Sequence, residues 1–189
     1  MSSTSLHARV FLNLISRSAF LREAIEHAAE LDLPNWWLVG GAIRDIVWQA
    51  VSGCEPTRPI QDIDLLFHDT DDRSPERDRQ VELGLSPISG VPWSVKNQAR
   101  MHLHNDDTRY NDMQEAMFCF PETISSIGIK KGENERIIFV TCFGFEDLLS
   151  MTFRPTPHFY RKQGFDRFVS RVHTKHWLEK WPTARLAPW

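Results

Sequence analysis

The most restrictive feature of this chain is an ordered set of three elements: an apolar run that ends in two glycines, a helical stretch, and a strand that opens with two acids. Trp36-Trp37-Leu38-Val39 leads straight into Gly40-Gly41, Ala42 to Val51 is spaced as a helix, and Asp62-Ile63-Asp64-Leu65-Leu66-Phe67 reads as a second strand. Residues two apart in a strand share a face, so Asp62 and Asp64 stand together while Ile63 and Leu65 point into the core. Two adjacent carboxylates in a partly dry site repel, and a divalent cation between them removes the repulsion. Mg2+, or Mn2+ in its place, takes oxygen ligands and divides them between carboxylates and a substrate's phosphates. Gly40 and Gly41 supply the other half of such a site. Without a Cβ their backbone approaches phosphate closely, next to a helix N-terminus, and Arg44 adds positive charge. Either motif alone also fits a plain turn with two solvated edge acids; the order of the three is what points to a site.

The remaining elements place this site in an α+β fold with a small mixed sheet. Apolar residues from Leu6 to Leu31 follow helical spacing with a break at Ser16 to Ser18, predicting two helices before the first strand. Ser74-Pro75 starts a helix that ends near Gly84, Val91 to Lys96 is strand-like, and Asp112 to Phe118 is a short helix. Ile124 to Lys130 and Arg136 to Cys142 form a hairpin. A helix runs from Gly144 through Met151, Arg154-Pro155-Thr156-Pro157 breaks it, and Phe159 to Trp181 carries a basic helical pattern. The chain therefore divides into a helical N-terminus (1–33), a sheet core with the site (34–143) and a helical C-terminal segment (144–189), all within one domain.

Composition excludes several classes. The chain has 189 residues, 41% of them apolar, and a net charge of -3 with acids and bases interspersed, which argues against a protein built mainly to coat duplex nucleic acid. No apolar run is long enough to span a bilayer, and Met1 to His7 is polar, so a cytoplasmic protein with no membrane partner is expected. Cys54, Cys119 and Cys142 are widely spaced and odd in number, as reduced thiols are.

Gly40-Gly41 followed by Asp62-Ile63-Asp64 resembles the signature of the DNA polymerase β-like nucleotidyltransferase superfamily, and Gly40 to Asp45 resembles the matching element of CCA-adding tRNA nucleotidyltransferases. The blocks Gly41 to Trp48, Asp62 to Asp69, Pro92 to His102, Phe143 to Pro157 and Lys180-Trp181-Pro182 resemble a bacterial family described only as nucleotidyltransferases. The resemblance implies transfer of a nucleoside monophosphate from an NTP to an acceptor hydroxyl, with pyrophosphate released and Mg2+ or Mn2+ held by Asp62 and Asp64. It does not supply the acceptor, which is RNA, protein or a small molecule.

In that superfamily a third acid usually sits on a later strand, yet Val91-Pro92-Trp93-Ser94-Val95-Lys96 carries none. Glu115 or Asp147 is then the third acid, or the site works with two, or it binds nucleotide without turnover as a regulatory or interaction module. Lys96 and Arg100 are the expected triphosphate contacts, and Asn97 or Gln98 the base or ribose contacts. Arg154 is a further possible contact with the nucleotide. His102 and His104 lack partners at zinc spacing and read as surface or packing residues. Arg161, Lys162, Arg167, Arg171, Lys175 and Lys180 form a basic face, either solvated or in contact with a polynucleotide acceptor.

Overall fold

A computed structural model of the protein describes residues 3–189, so Met1 and Ser2 of the polar start lie outside the described residues. Helices α1 (Ser3–Arg17) and α2 (Ala19–Ala29) are separated where the sequence predicts. The Ser18 hydroxyl accepts from Leu21 N–H at 3.2 Å, capping α2. Leu21, Ala24, Ile25 and Ala28 then face inward at helical spacing and are buried.

Strands β1 (Trp37–Val39) and β2 (Ile63–Phe67) flank helix α3 (Gly41–Ser52), followed by α4 (Pro75–Gly84), β3 (Trp93–Asn97), α5 (Gln98–Asn105) and α6 (Met113–Phe118). The hairpin β4 (Ile127–Lys131) and β5 (Ile137–Thr141) completes a mixed five-stranded sheet in the order β3-β2-β1-β4-β5. Within this sheet the β2–β3 pair is parallel and the other pairs are antiparallel, β1 running antiparallel to both its neighbours.

The two sheet faces differ in what covers them. Leu38, Leu65, Val95 and Ile129 point into the main core with Val47, Trp48 and the α1–α2 residues. Val39 and Leu66 face the other way, beneath Met113 and Met117 of α6. Val39 pairs with Asp64, and Asp64 pairs with Ser94, so Asp64 shares this second face. The smaller apolar cluster covers only part of it.

The edge strand β3 is closed by α4. Glu82 Oε1 accepts from Val95 N–H at 2.7 Å and Asp78 Oδ1 from Asn97 N–H at 3.1 Å, so two acids one helical turn apart satisfy edge donors.

The C-terminal segment contains α7 (Glu146–Leu149), β6 (Thr152–Phe153), α8 (Pro157–Thr174), α9 (Trp177–Lys180) and β7 (Arg185–Leu186). It departs from the sequence reading in two ways. The helix expected from Gly144 to Met151 is a single turn, because Met151 adopts φ 53° and the chain turns into β6, which pairs with β7. The basic helix is interrupted at Gly164, with φ 77° and ψ 169°, and again at His176, which caps α9 in the left-handed region. The stretch after β3 is helix α5, since the Asn97 side chain caps it through Ala99 N–H at 3.0 Å. Among the described residues, no helix is long and apolar enough to cross a membrane.

Trp181 fastens this segment to α3: it is fully buried, meets Trp48 edge-on with centroids 5.7 Å apart, and donates its indole N–H to Asp45 at 2.9 Å. Trp181→Ala is expected to lower unfolding free energy by about 3–5 kcal/mol, measured by urea denaturation; a loss under about 1 kcal/mol would show that the segment contributes little to the core.

Candidate active site

Asp64, on β2, is held by neighbours from the two flanking strands and a helix start. β1 delivers Gly40 beside it, where φ is +80° and a Cβ would stand 2.3 Å from Asp64 Oδ2. Glycine is therefore required twice over, by backbone conformation and by space. Gly41 N–H, at the start of α3, and the Ser94 hydroxyl on β3 both hydrogen-bond the carboxylate. Asp62 lies on the same side, exposed, two residues earlier.

These groups pull in opposite directions. Burial, then repulsion from Asp62, raises the Asp64 carboxyl from 3.8 to about 6, against the lowering effects of Gly41 N–H, Ser94 and the Arg44 charge. The hydrogen bonds do not cancel the desolvation. An added cation beside Asp62 and Asp64 supplies what is lacking, so this donor set of two carboxylates fits a hard divalent ion.

Asp62, Asp64, Gly40 and Gly41 line one cleft of about 310 Å³, as the strand periodicity predicts. Its other walls come from distant parts of the chain. Arg44 is buried, with Nε and Nη2 donating to Asp45 Oδ1 at 3.0 and 2.8 Å. Lys180 Nζ donates to Asp45 Oδ2 at 2.6 Å, and the Arg44 guanidinium lies over the Trp177 ring at 5.1 Å. Two cations around one carboxylate leave a net positive charge at the cleft. Opposite, the buried carboxylate of Glu122 is paired with Arg171 Nε and accepts from Ser125 Oγ at 2.9 Å. Lys175 and Arg58 also line the opening.

Lys96, Asn97 and Arg100 do not line this cleft, which corrects the expectation for all three. Lys96 Nζ bonds Glu82 Oε1 at 3.2 Å and Val95 O at 2.8 Å. Arg100 bonds Asp78 Oδ2 and the carbonyls of Arg73 and Ser74. Both cations are engaged by the acids of α4 that close the sheet edge, a demand that local sequence does not reveal. Asn97 is fully buried, and besides capping α5 it donates to Asp69 O at 2.8 Å and Asp72 O at 2.9 Å.

Glu115 and Asp147 lie elsewhere as well. Glu115 accepts from Asn111, and Asp147 binds Thr123 Oγ1 at 2.8 Å and Arg154 Nε at 3.0 Å, which also occupies Arg154. Among the described residues, no set of three Asp, Glu, His or Cys ligand atoms within 4.8 Å of one another includes Asp62 or Asp64. Glu122 and Asp45 are the site acids that sequence reasoning missed. The one signal for Glu122 was an acid inside the otherwise apolar and small-residue run Phe118 to Ile124.

Two predictions follow from the Asp64 environment. The native state binds the Asp64 proton more tightly than the unfolded chain, so between pH 3.8 and about 6 its ionisation lowers stability as pH rises, and below 3.8 the effect is absent. Asp64→Asn is therefore expected to be more stable than wild type at pH 8, by up to about 3 kcal/mol, with the difference gone by pH ~3.5; denaturant melts at the two pH values measure it. Gly40→Ala, in contrast, is expected to destabilise by at least about 1–3 kcal/mol, and Gly40→Ala combined with Asp64→Gly should recover part of the loss because the steric conflict is removed.

The comparisons with known proteins agree with this fold. No curated protein sequence matches the chain. A solved structure described as revealing a CCA-adding enzyme head domain is similar with TM-score 0.82 and 28% identity, over 95% of each chain. A CCA-adding enzyme in complex with CTP is similar with TM-score 0.53 and 14% identity, covering 91% of this chain and 47% of that one. A tRNA nucleotidyltransferase complexed with a primer tRNA and an incoming ATP analogue gives TM-score 0.53 and 16% identity, over 86% and 46%. The chain thus spans a little under half the length of these last two, whose low identity shows the fold alone. A nucleotidyltransferase family model matches residues 26–186, a span that holds the whole sheet and every wall of the cleft, and the chain belongs to that family, within the polymerase β-like fold.

Proposed function

We propose that the protein transfers a nucleoside monophosphate from an NTP to an acceptor hydroxyl and releases pyrophosphate, with Asp62 and Asp64 as ligands for Mg2+ or Mn2+. The observation that carries this reading is the Asp64 carboxyl, pressed against Gly40 and raised to about 6 beside a second carboxylate in an open cleft. Asp62 and Asp64 would hold the divalent ion, which when bound would supply charge neutralisation at the phosphates and acidify the attacking hydroxyl. The chain's own residues supply position and field. Gly40 and Gly41 bring backbone close to the phosphates at the start of α3. Arg44 acts through its field, since its guanidinium is occupied by Asp45, and Arg58 is likewise paired with Glu179 at 3.0 Å, whereas Lys175 stands on the cleft wall as the cation to meet phosphate oxygens. The relatives solved with CTP and with an ATP analogue support an NTP as donor. The acceptor is RNA, protein or a small molecule, and the chain acts as one nucleotidyltransferase unit in the cytoplasm.

A second reading rests on the missing third acid. The other acids on the cleft wall are Asp45 and Glu122, and both are already paired, with Arg44 and Lys180 and with Arg171. A protein that binds NTP without turnover would have this arrangement.

Pyrophosphate release separates the two. With each of the four NTPs, Mg2+ or Mn2+ and cell extract as the acceptor pool, release is expected from wild type, with a loss of at least about 100-fold in Asp62→Asn and Asp64→Asn. Saturable NTP binding with no release under any condition favours the non-catalytic module. Lys175→Ala is expected to weaken NTP affinity by about 1–3 kcal/mol, while Arg100→Ala leaves it unchanged; the reverse pattern in a binding titration would return the triphosphate to the α5 side.

A further inference from the structure

A second cluster of metal-binding groups lies behind the cleft wall, and the proposed transfer chemistry does not use it. Asp107 follows α5, Cys119 caps the end of α6, and His158 sits in the first turn of α8; one ligand atom from each lies within 4.8 Å of the others. A ring nitrogen of His158 is 2.9 Å from Asp107 Oδ1. Zinc bonds of about 2.0–2.3 Å in a tetrahedron put neighbouring N, O and S ligands about 3.3–3.5 Å apart. The trio needs only small side-chain adjustments to reach that spacing.

We propose that Asp107, Cys119 and His158 form a zinc-type transition-metal site that fastens α8 to the end of α6. The donor set gives the metal class. A sulfur, an imidazole and one carboxylate suit Zn2+ or Co2+, whereas Mg2+ prefers oxygen alone. The surroundings are built to orient the carboxylate: Tyr110 donates its hydroxyl to Asp107 Oδ2 at 2.6 Å, and Asn105 Nδ2 in turn donates to the Tyr110 oxygen at 3.2 Å. Lys162 Nζ shares Asp107 Oδ1 at 2.7 Å and supplies its positive partner when no metal is bound. A cavity of about 170 Å³ beside the trio leaves room for a fourth, exchangeable ligand such as water. On binding, the Cys119 S–H bond breaks, the sulfur lone pair bonds the metal, and the proton passes to solvent.

The same trio is poorly suited to nucleophilic catalysis. Among the described residues, no base that could activate Cys119 is free beside it, since the His158 ring nitrogen and Lys162 Nζ are both engaged by Asp107 Oδ1. Phe120 and Pro121 line both this cavity and the nucleotide cleft, which makes the site a rear support of the cleft wall.

Co2+ titration of the chelator-treated full chain tests this. A thiolate-to-cobalt charge-transfer band with visible tetrahedral d–d bands is expected, removed by stoichiometric Zn2+. The charge-transfer band should vanish in Cys119→Ser, persist in Cys54→Ser and Cys142→Ser, and persist in Asp62→Asn with Asp64→Asn. His158→Gln should weaken Co2+ binding at least tenfold, with folding of each variant checked by circular dichroism. No thiolate band in wild type, a band that survives in Cys119→Ser, or one lost in Cys54→Ser or Cys142→Ser would overturn the proposal. Should Cys119→Ser misfold, the Cys54→Ser and Cys142→Ser spectra assign the sulfur by elimination.

Discussion

Contact between the Asp64 carboxylate and the Gly40 backbone organises the site. It requires glycine at a left-handed position, and it sets β1 and β2 in the register that pairs Val39 with Asp64. It also places the carboxylate against the first N–H of α3. The cost is borne locally as a raised pKa, because the carboxylate is desolvated beside Asp62 without a cation of its own. Under the proposed function, a cationic ligand bound there would relieve this repulsion.

Around this contact, the protein surrounds the cleft with buried ion pairs in place of free charges. Asp45 gathers Arg44, Lys180 and the Trp181 indole, linking α3 to the last helix of the chain. Glu122 similarly engages Arg171 of α8. Removing Asp45, or removing Arg171 from beside the buried Glu122, leaves uncompensated buried charge, which typically costs about 3–5 kcal/mol. The C-terminal segment is therefore part of the site wall, and its basic residues on the cleft divide into Arg171 and Lys180, which are engaged in ion pairs, and Lys175, which lines the opening.

Most of the fold and the centre of the site were legible in the sequence, for reasons that are local. Alternation placed Asp62 and Asp64 together, the Ser18 cap separated the first two helices, and Gly40-Gly41 marked the turn that the carboxylate needs. What was not legible depends on contacts between distant residues. The destination of Lys96 and Arg100 follows from Glu82 and Asp78 being needed at the β3 edge, and nothing beside the two cations in sequence announces that need. Glu122, Asp45 and the β6–β7 pair likewise acquire their roles only when the C-terminal segment folds back. The single acid in an apolar stretch at Glu122 was the one available hint.

The central claim is that Asp64 is a desolvated carboxylate awaiting a divalent cation and a nucleotide's phosphates. Direct titration of its side-chain carbon by NMR, in wild type labelled at aspartate and assigned with Asp64→Asn, tests it without relying on any activity. The account predicts a midpoint near 6 in the free protein and a marked fall once Mg2+ and NTP are present. A midpoint near the ordinary carboxylate value that Mg2+ and NTP leave unmoved would contradict it.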